Sequence, residues 1–414
     1  MRCPRALLRG LSLSLSLLMG VACGSSSSSS SSGGGAPAPV ANTISVSING
    51  GPVTTENVFN VLYTSVTLCE PGTTTCQTIN GILVDTGSSG LRILSSALTL
   101  SLPRATTANE PLAECLQFSN SSTWGSVRTA DLQLAGEVAH SIALQVIGDP
   151  AVGTVPKACT NGGFPGNNDQ ESLGANGILG VGNFLQDCGP ACSATGPSNP
   201  GLYYSCPTVT TCAVTGVPVG EQIANPVGSF ASDNNGVVIT LPPVTGEAPT
   251  LTGSLIFGIG TQSDNALGSA KVFTFDDNGF FGTTFNGKSL PFSFVDSGST
   301  GLAFPDSGLA TCSDFMNDLF CPKQTASLQA TMTAPNGASE TIPFTVGNAD
   351  TLFAQFPGDS AFASVCSPAL VTQANSPNGP NSFDWGLTFF FGRTVFTALE
   401  GQSTPGGTGP YVAF

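Results

Sequence analysis

Two short segments each place an aspartate at the end of an apolar strand and follow it with small hydroxyl residues and glycine. The first runs Ile82-Leu83-Val84-Asp85-Thr86-Gly87-Ser88-Ser89-Gly90-Leu91. The second runs Phe292-Ser293-Phe294-Val295-Asp296-Ser297-Gly298-Ser299-Thr300-Gly301-Leu302. One such tetrapeptide arises easily in a chain with 51 Gly, but two copies with matched flanks define a repeat. In each, backbone N–H groups and hydroxyls of the turn can hold the carboxylate, and glycine permits both the tight turn and the close approach of a partner. If two lobes pack about a pseudo-twofold axis, Asp85 and Asp296 lie side by side. Like charges that close cannot both ionise, so the pair shares one proton and supplies an acid and a base together. Such a pair can activate a water with its ionised half while its protonated half polarises an amide carbonyl.

The elements that must position these turns are strands. Past residue 42 the chain reads as short alternating apolar and polar runs cut by Gly, Pro and Asn, among them TISVSING, NVLYTSVTL, TADLQLAG, SIALQVIG, GVVITLP, SLIFGIG and KVFTFDD. This spacing predicts an all-β fold of barrel-like lobes. The stretch 309–320 is the best candidate for a helix. An apolar-apolar-Gly element follows each aspartate, Gly177-Ile178-Leu179-Gly180 in one half and Phe390-Phe391-Gly392-Arg393 in the other, with the glycines 95 and 96 residues downstream. Equal intervals imply two lobes of one topology, divided near the Pro and Gly-rich stretch 241–253. The lobes are expected over 43–245 and 246–414. Phe389 to Phe391 read as core.

Composition removes the competing chemistries. The single His140 cannot supply two imidazoles, which excludes most hydrolytic zinc sites. A serine hydrolase would have to recruit that one residue as its base, whereas its place in AHSIAL suits an ordinary strand residue. Charged residues make up 9% of the chain, too few for long solvated helices. The formal net charge of −15 leaves counterion release from nucleic acid nothing to work with. No metal and no cofactor is expected, and the protein is expected to be monomeric.

The N-terminus predicts export. Arg2, Arg5 and Arg9 precede an apolar stretch from Leu11 to Ala22, shorter than the roughly 20 residues that cross a bilayer. Residues 1–22 therefore read as a signal peptide. Gly20-Val21-Ala22-Cys23 resembles a bacterial lipobox, which makes Cys23 the expected lipidation site and sole membrane anchor; Gly20 departs from the usual Leu. Ser25 to Ser32 and the Gly/Ala/Pro residues after them form a flexible tether through residue 42. Loss of residues 1–22 removes three arginines and takes the charge to −18. Cysteines agree with an oxidising compartment: Cys69 and Cys76, Cys115 and Cys159, and Cys312 and Cys321 fall in local pairs, while Cys188, Cys192, Cys206 and Cys212 form a cluster. The cluster reads as disulfides, with a four-thiolate zinc site as the alternative, and Cys366 is the odd buried thiol.

These residues resemble the pepsin-like aspartic peptidases over most of the chain after residue 42. The resemblance rests on D-T-G-S-S at Asp85, D-S-G-S-T at Asp296, the two apolar-apolar-Gly elements and the run GSLIFGIGTQ. VDTGSSGLRI, GILGVGNF, FDWGLTFFFGRTVF and the terminal GPYVAF are also similar to a bacterial family of secreted pepsin-like proteins of unknown function. The resemblance implies a bilobal acid-protease fold with a cleft between pseudo-twofold-related barrels, and an endopeptidase acting on extended polypeptide. It further implies that Thr86 and Ser297 bond across to the opposite turn, that Ser88 and Ser299 hold the outer aspartate oxygens, and that Gly87 and Gly298 complete the turns. Trp124-Gly125 stands 39 residues after Asp85, where the resemblance places a flap with Tyr-Gly, and Arg92 stands where the flap tyrosine's Trp partner is expected. An exchanged pair, Trp124 stacked on Arg92, follows as an expectation; the alternatives are a packed hairpin aromatic and a salt-bridged arginine. The uncharged stretch Ser25 to Pro39 lacks the basic segment that acid releases from pepsin-like zymogens. A catalytically silent binding protein with the same cleft is the alternative function.

Overall fold

Strict alternation sets the sheets. In Thr43–Ile48, Val46 and Ile48 point inward while Thr43 and Ser45 face solvent. Gly177–Val181 and Ser89–Leu94 are buried on both faces, as strands inside a lobe must be. The computed structural model describes residues 41–53, 58–118, 121–160, 166–313, 318–368 and 381–414. The signal peptide, Cys23 and nearly all of the tether lie outside them. Among the described residues, no helix is long and apolar enough to cross a membrane.

One extended sheet carries the first half and joins it to the second. Its order runs through the first-lobe strands to Thr43–Ile48, Leu251–Phe257, Gly236–Thr240, Thr394–Ala398, Tyr411–Ala413 and Val272–Thr274. The first described strand thus pairs with Leu251–Phe257, and the last pairs with Thr394–Ala398. Residues 40–414 form one compact unit around this shared sheet. A second sheet of seven strands forms the core of the other lobe. There Phe285, Phe304, Phe344 and Phe383 pack with centroids 4.9–6.1 Å apart, which accounts for part of the high Phe content.

Each lobe repeats one local arrangement. The strand Cys76–Asp85 runs parallel to Gly177–Val181, placing Asp85 opposite Gly180, and the chain returns as Ser89–Leu94 antiparallel to Gly177–Val181. In the second lobe Lys288–Val295 runs parallel to Asp384–Trp385, and Leu302–Phe304 returns beside it. One step beyond Val295↔Trp385, Gly386 faces Asp296. The equivalent of Gly180 is therefore Gly386, 90 residues after Asp296, and the expected Phe390-Phe391-Gly392-Arg393 element is corrected. The physical requirement is a missing side chain. A Cβ on Gly180 would lie 2.8 Å from the Ser89 carbonyl carbon, and one on Gly386 would lie 2.1 Å from the Gly301 carbonyl oxygen. Phe389, Phe390 and Phe391 are buried core.

The helix expected over 309–320 is not formed in its described part. Thr311 bridges Phe320 and a disulfide closes Cys312 to Cys321, while residues 314–317 lie outside the described residues. Apolar spacing there serves a disulfide-closed loop. The two α-helices described are Gln170–Leu173 and Ala349–Gln355, each with an Asx side chain at its N-cap.

Candidate active site

The two Asp turns meet. The Thr86 N–H donates to Ser297 Oγ at 3.1 Å, and the Ser297 N–H donates to Thr86 Oγ1 at 2.9 Å. The Ser297 hydroxyl donates in turn to the Val84 carbonyl at 2.8 Å. These reciprocal bonds clamp the strand ends together, and all of them are buried. Each aspartate is then held twice by its own turn. Gly87 N–H reaches Asp85 Oδ1 at 2.7 Å and the Ser88 hydroxyl reaches Oδ2 at 2.5 Å. Gly298 N–H reaches Asp296 Oδ1 at 2.7 Å and the Ser299 hydroxyl reaches Oδ2 at 2.9 Å. The glycines explain the closeness: a Cβ on Gly87 would fall 2.6 Å from the Asp296 carboxyl carbon, and one on Gly298 would fall 2.6 Å from Asp85 Oδ1. Each glycine thus lies against the opposite aspartate.

Both carboxyls line one cleft cavity of about 1240 Å³. Desolvation, then the negative charge of Asp85 and of Asp384, pushes Asp296 well above the usual carboxylate range. Asp85 lies close enough to act on Asp296 by charge and by hydrogen bonding, and both favour the protonated form of Asp296. Asp384 was not singled out by motif, because it lies in FDWG, outside either Asp turn. It is 5% exposed, lines the same cleft, and is pushed up to about 8 by burial and by the Asp85 charge, against the Ser299 hydroxyl bond that lowers it. An acidic residue in the otherwise Phe, Trp and Gly stretch 383–386 was the available signal.

The expected Trp124–Arg92 stack does not form. Arg92 is wholly buried and donates to Glu114 Oε1 at 2.8 Å and Asp187 Oδ2 at 3.1 Å. A guanidinium deprived of water needs anionic partners more than it needs a ring face. Tyr203 completes the cluster by donating to Asp187 and accepting from the Ile223 N–H. Desolvation would lower the Arg92 pKa, but Glu114 and Asp187 raise it; Asp187 is itself pushed up by desolvation and by Glu114. Trp124, 2% exposed, packs edge-on against Tyr204 with centroids 5.2 Å apart, and its indole N–H donates to the Gly153 carbonyl. Gly125 is required by strand crossing, since a Cβ would lie 2.0 Å from the Val146 carbonyl oxygen. The residues of this hairpin that line the cleft are instead Leu116, Gln117, Phe118 and Ser121, at the end joining Glu110–Gln117 to Ser122–Leu134.

Among the described residues, five disulfides join Cys69 to Cys76, Cys115 to Cys159, Cys188 to Cys192, Cys206 to Cys212 and Cys312 to Cys321. The cysteine cluster is therefore two disulfides, which leaves no thiolates for zinc. Cys366 is free and buried, its thiol pushed up to about 12 by burial. His140 is exposed on Glu137–Ile147, 3.5 Å from Asp131, and does not line the cleft.

Fold and cleft together define a pepsin-like, all-β, bilobal protein. Among solved structures, the chain matches the crystal structure of an aspartic proteinase from Irpex lacteus with a TM-score of 0.50 and 16% identity, over 90% of this chain and 96% of that one. At that identity the likeness is one of fold. Residues 38–414 match the family described as "Protein of unknown function (DUF3443)", and the chain belongs to that family. No curated protein gives a significant match.

Proposed function

We propose that the protein is an aspartic endopeptidase that hydrolyses extended polypeptide in the cleft. The observation that carries this reading is the pair of aspartates, each fixed by its own Gly N–H and Ser hydroxyl and brought together by the Thr86–Ser297 bonds. The dyad holds one proton, preferentially on Asp296. A water between the carboxyls gives a proton to the ionised one as its oxygen attacks the peptide carbonyl, while the protonated one donates to the carbonyl oxygen. The gem-diol intermediate then breaks its C–N bond as the newly protonated aspartate gives its proton to the nitrogen and a gem-diol hydroxyl gives one to the other aspartate, leaving one proton on the pair. Substrate lies as an added strand beneath the hairpin end carrying Phe118. The five disulfides support an exported protein. Anchoring through lipidated Cys23 at a bacterial envelope is part of the same reading, tested by fatty-acid labelling of wild type and Cys23→Ala.

A peptide library profiled from acidic to neutral pH, with and without an inhibitor of the pepstatin type, tests the activity. Asp85→Asn and Asp296→Asn should each lower kcat/KM by about a thousandfold. Cleavage that survives both substitutions overturns the dyad, and cleavage absent at every pH favours a silent peptide-binding protein.

A further inference from the structure

The two lobes differ at one position beside the dyad. Two residues before each motif aspartate, the neighbouring parallel strand presents Ile178 opposite Leu83 in the first lobe and Asp384 opposite Phe294 in the second. Ile178 is a buried apolar residue, as an internal strand position requires. Asp384 places a carboxyl in the same setting, opposite Phe294 and lining the cleft, where among the described residues no cation acts on it. The titratable groups facing it are Asp85 and Asp296, both anionic when ionised. Its Oδ1 is buried without a hydrogen-bond partner, and the Ser299 hydroxyl lines the same cleft, near enough to act on the carboxyl. Ser299 also donates to Asp296 Oδ2 at 2.9 Å.

A serine hydroxyl has one proton to give. It cannot donate to Asp296 and to an ionised Asp384 at once. If Asp384 keeps its own proton, the conflict disappears: the Asp384 O–H donates to Ser299 Oγ, and the Ser299 O–H donates to Asp296. Burial, a bare buried oxygen and two acidic neighbours all disfavour the ionised form. We propose that Asp384 is a positioning residue of the dyad, a protonated carboxyl that holds the Ser299 hydroxyl as a donor to the outer oxygen of Asp296. No proton passes from Asp384 to substrate; its task is orientation. Above pH about 8 Asp384 ionises, draws the Ser299 hydroxyl toward itself as a hydrogen-bond donor and sets a further charge against Asp296.

The proposal rests on the peptidase reading, and the test separates the two. In the full chain, Asp384→Ile, which copies the first lobe, should lower kcat about tenfold with little change in KM. Asp384→Asn, whose amide still donates but cannot ionise, should restore most of that loss and extend activity to higher pH. Ser299→Ala should cost as much as Asp384→Ile, and the double variant no more than either alone. Wild-type kcat in Asp384→Ile, or additive losses in the double variant, overturns the proposal. If cleavage proves independent of Asp85, the peptidase reading fails by itself, and infrared spectroscopy decides for Asp384. A protonated-carboxyl carbonyl band at pH 7, lost in Asp384→Asn and shifted in Ser299→Ala, supports the assignment; its absence overturns it.

Discussion

Gly87 and Gly298 show how little room the dyad leaves. Each occupies the space in front of the opposite aspartate, so a methyl group added there would clash with a carboxyl. Gly87→Ala and Gly298→Ala should therefore each abolish binding of a transition-state inhibitor, measured by calorimetry, while Gly50→Ala, with no neighbour within 4 Å, should leave it unchanged. Asp384 belongs to this scale too, because its effect reaches Asp296 through one hydroxyl. The motif residues were legible in the sequence since their types alone state the chemistry. Asp384 was not: its meaning depends on which residue the parallel strand sets beside Asp296, and only pairing supplies that neighbour.

The flap hairpin is tied to the cleft by charge and by a disulfide. Glu114 on Glu110–Gln117, Arg92 on Ser89–Leu94 and Asp187 in a cleft loop meet in one buried cluster. Removal of its sole cation leaves two carboxyls without an opposite charge. Arg92→Ala should lower unfolding free energy by about 3–5 kcal/mol in a denaturant titration. Lys in its place should recover little, because the guanidinium spans Glu114, Asp187 and the Ser89 carbonyl together. Cys115–Cys159 closes 44 residues of this region, and replacing both by Ala should cost about 4 kcal/mol. Strand alternation and turn residues made the strands readable; the structure closes one pair of them with a tight turn at Ala135-Gly136, with φ values of 50° and 84°. The Trp124–Arg92 stack fails because linear distance from Asp85 cannot say which face of a strand carries Trp124.

Across the molecule, the ionisable groups favour mild acid. Asp384, Asp296 and Asp187 all have raised pKa values, with desolvation the first cause in each. For Asp384 the stabilising contribution is complete below the ordinary value of 3.8 and is lost as pH rises through about 8. Asp149 and Asp276 work the other way: against desolvation, hydrogen bonds from Ser126 and Ala151, and from Phe280 and Asn278, hold them low, so their contribution is lost in stronger acid. The melting temperature should peak near pH 4 and fall toward pH 8, and Asp384→Asn should flatten that fall. The lobes should also melt together, since Thr43–Ile48, Leu251–Phe257, Thr394–Ala398 and Tyr411–Ala413 belong to one sheet. By itself the amino-acid sequence determined the two aspartates, their turn partners, the strand-rich class and the local cysteine pairs, because each depends on residue types within a few positions. Gly386 as the partner of Gly180, the Arg92 cluster and the third carboxyl were decided by tertiary structure. They rest on contacts between residues 22 to 95 positions apart, where backbone closeness and a shared hydroxyl select the neighbour and sequence spacing does not.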